Sequence, residues 1–97
     1  MLTSKQRAFL RGVANNLDTI FHVGKGGVTP ELTKSIDDAL EARELIKANI
    51  LDNCLMETRD AAVMIAERTH ADVVQVIGNK FVLFRQNKKK PMIELPR

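Results

Sequence analysis

The chain has 97 residues, 44% of them hydrophobic, which suits one domain with a single core. Its lone cysteine, Cys54, excludes an internal disulfide and fits a reducing, cytoplasmic setting, and with two histidines there is no zinc-finger spacing and no metal or cofactor is implied. The formal charge of +3 is segregated along the chain: residues 1–25 carry Lys5, Arg7, Arg11 and Lys25 against Asp18, and residues 78–97 carry Lys80, Arg85, Lys88, Lys89, Lys90 and Arg97 against Glu94, while acids dominate between them.

Thr3 and Gln6 form a capping box, and Phe9, Leu10, Val13 and Leu17 return at helical spacing, so a helix is expected over about 3–16. Its basic residues interrupt any apolar run of the kind a secretory signal needs, and no stretch of the chain approaches membrane-spanning length. Asn15, Asn16 and Asp18 break that helix, and Thr19 to Val23 reads as a short buried strand.

The run Gly24-Lys25-Gly26-Gly27-Val28-Thr29-Pro30 follows, a glycine loop with a lysine inside it that opens a helix. Glycine lets a bulky anion approach the backbone N–H groups, and Thr29 as N-cap with Pro30 as first helical residue is expected to leave free donors and a positive dipole end beside Lys25. The spacing is neither that of a dinucleotide fingerprint nor that of a P-loop. It is a Gly-x-x-Gly clamp, Gly24 to Gly27, similar to the loop with which KH domains hold a nucleic-acid backbone. A plain strand-to-helix turn would look the same locally.

A second helix is expected from Pro30 to about Ala42, with Leu32, Ile36, Ala39 and Leu40 inward and Glu31, Lys34, Asp37, Asp38 and Glu41 outward. Leu45 to Leu51 alternates as a strand, a third helix occupies about 57–70, and Val73–Ile77 and Lys80–Arg85 flank Gly78-Asn79, a two-residue hairpin signal. The order α-β-α-β-α-β-β predicts an α/β two-layer sandwich with a mixed four-stranded sheet, the second and third helices sharing one face. Residues 86–97 read as a basic extension of the single domain, docked through Ile93 and Leu95. Because the middle acids fall mostly in two helices, those helices should turn away from a polyanion, with the glycine loop and both chain ends turned towards it. Lys88, Lys89 and Lys90 read equally as a solvated tail.

Four ordered blocks resemble the CRM domain, named for chloroplast RNA splicing and ribosome maturation, in its small bacterial single-domain form. They are Leu2-Thr3-Ser4-Lys5-Gln6-Arg7 with Leu10 and Arg11; Val23 to Thr29; Glu44-Leu45-Ile46-Lys47; and Gln75-Val76-Ile77-Gly78 with Val82-Leu83-Phe84-Arg85. The resemblance implies an RNA-binding domain with a fold similar to the C-terminal domain of translation initiation factor three. It further implies association with rRNA in precursors of the large ribosomal subunit. By the same resemblance, Gly24, Lys25, Gly26 and Gly27 contact RNA, helped by Lys5, Arg7, Arg11 and Arg85; Lys88 to Lys90 are added from charge alone. Phe84 stands where many relatives carry tyrosine, so no hydroxyl contact is carried over there.

Three functions compete on these residues. The first is an RNA-binding monomer that assists ribosome assembly through backbone phosphates, its four phenylalanines expected in the core. The second is a protein-docking module using the acidic helices on ribosomal proteins. The third, an enzyme holding a phosphorylated small molecule, finds little support. His22 and His70 have structural explanations, Cys54 has no evident base partner, and Asp37, Asp38 and Glu41 look like a solvated helix face.

Overall fold

Thr3 begins the first helix as the sequence requires: its hydroxyl accepts from the Gln6 N–H at 3.1 Å and its own N–H donates to the Gln6 side chain at 3.0 Å. In the computed structural model, which describes residues 2–97, the elements are α1 (Ser4–Ala14), β1 (Phe21–Val23), α2 (Pro30–Arg43), β2 (Leu45–Ile50), α3 (Thr58–Thr69), β3 (Asp72–Ile77) and β4 (Lys80–Phe84). The expected order is therefore present, with β1 two residues shorter at its start than the sequence pattern suggests. None of the helices among the described residues is long and apolar enough to cross a membrane.

The sheet runs β1-β2-β4-β3, with β1 parallel to β2 and the other two pairs antiparallel. Two ends follow. At the loop end lie Val23, Ile50, Ile77 and Lys80; at the base lie Leu45, Asp72 and Phe84. Alternation along β2 and β4 sends Ile46, Ala48, Ile50, Phe81 and Leu83 to one face, where Ile36 and Leu40 of α2 and Ala61, Ala62, Ile65 and Ala66 of α3 cover them. The second and third helices share one face as expected, but α1 adds a helix on the other, so the sheet is covered on both sides rather than forming the two-layer sandwich the sequence suggested. The opposite face, left uncovered by the sequence reading, packs Leu10 and Ala14 of α1 on Leu45, Val74, Val82 and Phe84, joined by Ile93 and Leu95 of the C-terminal segment as expected.

That segment is anchored by Glu44, a fully buried carboxylate at the junction of α2 and β2. Its Oε1 accepts from the N–H groups of Met92 and Ile93 at 2.8 and 2.6 Å, and its Oε2 from that of Asn87 at 2.6 Å. Charge-assisted bonds of this kind compensate both the burial and a backbone φ of 67°, which L-residues seldom adopt. Gln6 adds a further tie by donating to the Pro96 carbonyl at 3.1 Å. α3 ends in a Schellman arrangement: His70 takes the left-handed position with φ 57°, and the Ala71 N–H reaches the Ala66 carbonyl at 2.9 Å.

Candidate nucleic-acid interface

β1 delivers the chain to the loop end, where Gly24 to Gly27 closes as a four-residue turn, the Gly27 N–H donating to the Gly24 carbonyl at 2.9 Å. Lys25 and Gly26 occupy its exposed apex, and their N–H groups make no hydrogen bond among the described residues. Only Gly27 has positive φ, at 69°, so glycine is demanded by backbone conformation there and nowhere else in the turn. A Cβ added at Gly24 would come no closer than 3.5 Å to Leu51, and one at Gly26 no closer than 3.5 Å to Thr29, both ordinary contacts. Internal packing therefore does not explain two of the three glycines, whereas a bare backbone at the apex admits a phosphate to within hydrogen-bonding distance of the free N–H groups.

The turn rests on the 51–56 segment: Leu51 and Asn53 lie beside Gly24, and Met56 beside Gly27. Behind it, Thr29 caps α2 by accepting from the Leu32 N–H at 3.1 Å, and the Thr29 carbonyl accepts from both the N–H and the hydroxyl of Thr33. This corrects one expectation. With Pro30 lacking a donor and Leu32 and Thr33 already bonded, the start of α2 keeps the Glu31 N–H as its one free donor among the described residues, so more of the free donors belong to the turn than to the helix. Arg68 of α3, which sequence reasoning passed over, reaches the Val28 carbonyl at 3.5 Å and with Lys34 borders a groove next to Pro30.

The other candidate cations do not converge on the turn. β4 runs opposite to β1, so Lys88, Lys89 and Lys90 leave from the base, roughly 20 Å from Gly24 at about 3.3 Å per strand residue. The expectation that both positive chain ends flank the glycine loop is thus corrected by strand direction. The tail is also no frayed extension, because the Asn87 side chain accepts from the N–H groups of Lys89 and Lys90 and donates to the carbonyl of Glu41. Lys5, at the start of α1, sits towards the base as well, near the segment that Gln6 holds.

Arg85 receives a different occupation from the one expected. Its Nη1 donates to Asp37 at 2.5 Å and to the Thr69 carbonyl at 2.7 Å, and its Nη2 to the Asp37 carbonyl at 3.0 Å, so the guanidinium joins α2, α3 and the end of β4. A side chain so committed is architectural. Arg7 and Arg11 follow α1 along its flank, Arg7 partly buried and with a buried Nε that has no partner, Arg11 exposed in the last turn. Phe81 and Phe84 are buried and Phe21 packs at the core edge, but Phe9 is 41% exposed, against expectation.

A family model described as the CRS1 / YhbY (CRM) domain matches residues 2–85. The chain is 48% identical over 96 residues to a probable RNA-binding protein of Bacillus subtilis, YqeI, covering 99% of this chain and all of that one. It is 35% identical over 97 residues to a protein of Haemophilus influenzae named RNA-binding protein, covering 99% of this chain and 96% of the relative. The solution structure of the hypothetical protein SAV1595 from Staphylococcus aureus is similar to it with a TM-score of 0.83 at 46% identity, covering 99% of this chain and 100% of that chain.

Proposed function

The chain belongs to the CRS1/YhbY (CRM) domain family, and on that premise we propose that it is an RNA-binding protein whose glycine turn seats the sugar–phosphate backbone of rRNA in precursors of the large ribosomal subunit. The observation that carries the reading is the pair of unbonded N–H groups at Lys25 and Gly26 beside an exposed ammonium, on a turn whose packing does not require glycine at two of its positions. Such a seat takes an anion without reading base identity, so recognition rests on backbone and shape, and affinity should fall as salt rises. The names of the relatives support a binding protein rather than an enzyme.

In this reading Gly24, Lys25, Gly26 and Gly27 make the first contact, and Arg7 and Arg11 extend it along α1. Lys5 and Lys88 to Lys90 form a separate positive area at the base, reached by an RNA long enough to span the sheet. Docking to a basic protein through α2 is less well supported, because Asp37 and Glu41 already meet Arg85, and Lys34 pairs with Asp38 at 3.3 Å. Sedimentation of tagged protein from cell extract tests the assignment. Comigration with precursors of the large subunit, lost in the Lys25→Ala variant, is expected; protein remaining at the top of the gradient would contradict it.

A further inference from the structure

α1 is too short to cover the face on which it packs, and its contacts gather at the base half. Towards the loop end the same face carries His22 on β1, Lys47 and Asn49 on β2, Lys80 on β4, and Gln75 and Ile77 on β3. His22 and Lys80 are exposed and Ile77 is 63% exposed, which is unusual for an isoleucine in a strand. We propose that this open half-face is a second RNA-contact surface, which takes two or three unpaired nucleotides adjoining the one held by the glycine turn. It rests on the RNA-binding reading above and adds to it where the neighbouring bases go.

Charge selects the partner. Two lysines and no carboxylate project among these six side chains, and neither lysine takes part in an ion pair among the described residues. Size selects single strands: four strands about 4.8 Å apart, and about three residues of free strand length, give a patch of roughly 15 by 10 Å, matched to a few splayed bases. The end of α1 walls it on the base side, with Asn15 closing a shallow groove against Lys47, Gln75 and Lys80. The His22 ring, held by a hydrogen bond from its Nδ1 to the Asn49 amide oxygen, and the Ile77 side chain offer flat contact, while the Asn49 and Gln75 amides offer hydrogen bonds.

The surface is continuous with the turn. His22 precedes Gly24 by two residues, and Leu51, two beyond Asn49, lies against Gly24. A strand of RNA leaving the turn would meet His22 and Asn49 next and then Lys47 and Lys80, its phosphates facing the lysines.

The test titrates an unstructured RNA of about 12 nucleotides, and a duplex of equal length, against the wild-type protein and the Lys47→Gln/Lys80→Gln variant. With about 0.7 counterions released per phosphate contact, the double change should weaken single-strand binding roughly tenfold at 0.15 M salt and lower the slope of log K on log salt by about 1.4. Duplex binding should change less, and Lys47→Arg/Lys80→Arg should restore the single-strand affinity. Lys80→Gln alone, at an exposed position, repeats the test where folding is not in question. Unchanged single-strand affinity in the glutamine variants, together with a loss in Lys25→Ala, would overturn this proposal and leave the turn's role standing. A wild-type protein that binds neither RNA would overturn both. Loss of ribosomal-protein capture with RNA affinity intact would assign the face to a protein partner instead, against the proposal.

Discussion

At the base of the sheet the backbone donors of Asn87, Lys89, Lys90, Met92 and Ile93 all have acceptors, whereas at the loop end those of Lys25 and Gly26 have none among the described residues. Both regions hold lysines without an ion pair among the described residues, Lys88 to Lys90 at the base and Lys25 and Lys80 at the loop end, although the base also joins Arg85 to carboxylates of α2; the sharper difference lies in the backbone donors. The contrast teaches that positive charge alone does not mark a contact surface. What marks it is charge together with unspent hydrogen-bonding capacity, since a donor already paired offers a phosphate nothing.

The comparison breaks most visibly at Glu44. Glu44→Ala removes three charge-assisted bonds from buried surroundings, an expected cost of about 3 kcal/mol, which for a domain of this size lowers Tm by roughly 15 °C. Hydrogen exchange at Met92 and Ile93 should accelerate with it. A melting curve displaced by no more than a degree or two would show that the tail does not depend on this carboxylate.

At the other end, Gly24→Ala with Gly26→Ala should leave the melting curve nearly unmoved and weaken RNA binding about tenfold, close to 1.4 kcal/mol. Two methyl groups would stand between the backbone and the phosphate without disturbing Leu51 or Thr29. Equal affinity in this variant would mean that the bare apex serves only as a turn. Gly27→Ala should separate conformation from contact, costing about 1 kcal/mol of stability through its positive φ; calorimetry reads that difference directly.

The smallest effect is expected at Asp52, an exposed acid in the segment on which the turn rests. Asp52→Asn should raise RNA affinity about twofold at low salt and not at all at high salt, as a screened repulsion requires. A salt-independent gain would point to a rearranged loop rather than to charge.

The element order was legible in the sequence because its signals are local: the Thr3–Gln6 box, the Thr29-Pro30 helix start and the Gly78-Asn79 hairpin each act within a few residues. The docking of Ile93 and Leu95 was legible because they are apolar side chains in a charged segment. Glu44 was not, since its three partners lie more than 40 residues further on and nothing in an isolated Glu-Leu-Ile-Lys run announces a buried carboxylate. Arg85 misled for the same reason, its partners being Asp37 and Thr69. Phe9 was misplaced because adjacent helical residues point about 100° apart, so a stripe centred near Leu10 and Ala14 leaves it on the flank. The open half-face escaped notice because it becomes visible only when the length of α1 is set against the sheet beneath it.

The most direct test of the account is an amide NMR titration of the labelled protein with an rRNA fragment. Resonances of Lys25, Gly26 and Gly27 should shift first and furthest, those of Met92 and Ile93 should stay in place, and rising salt should reverse the shifts. Shifts confined to the C-terminal segment or to the acidic faces of α2 and α3, with Lys25 and Gly26 unmoved, would contradict it.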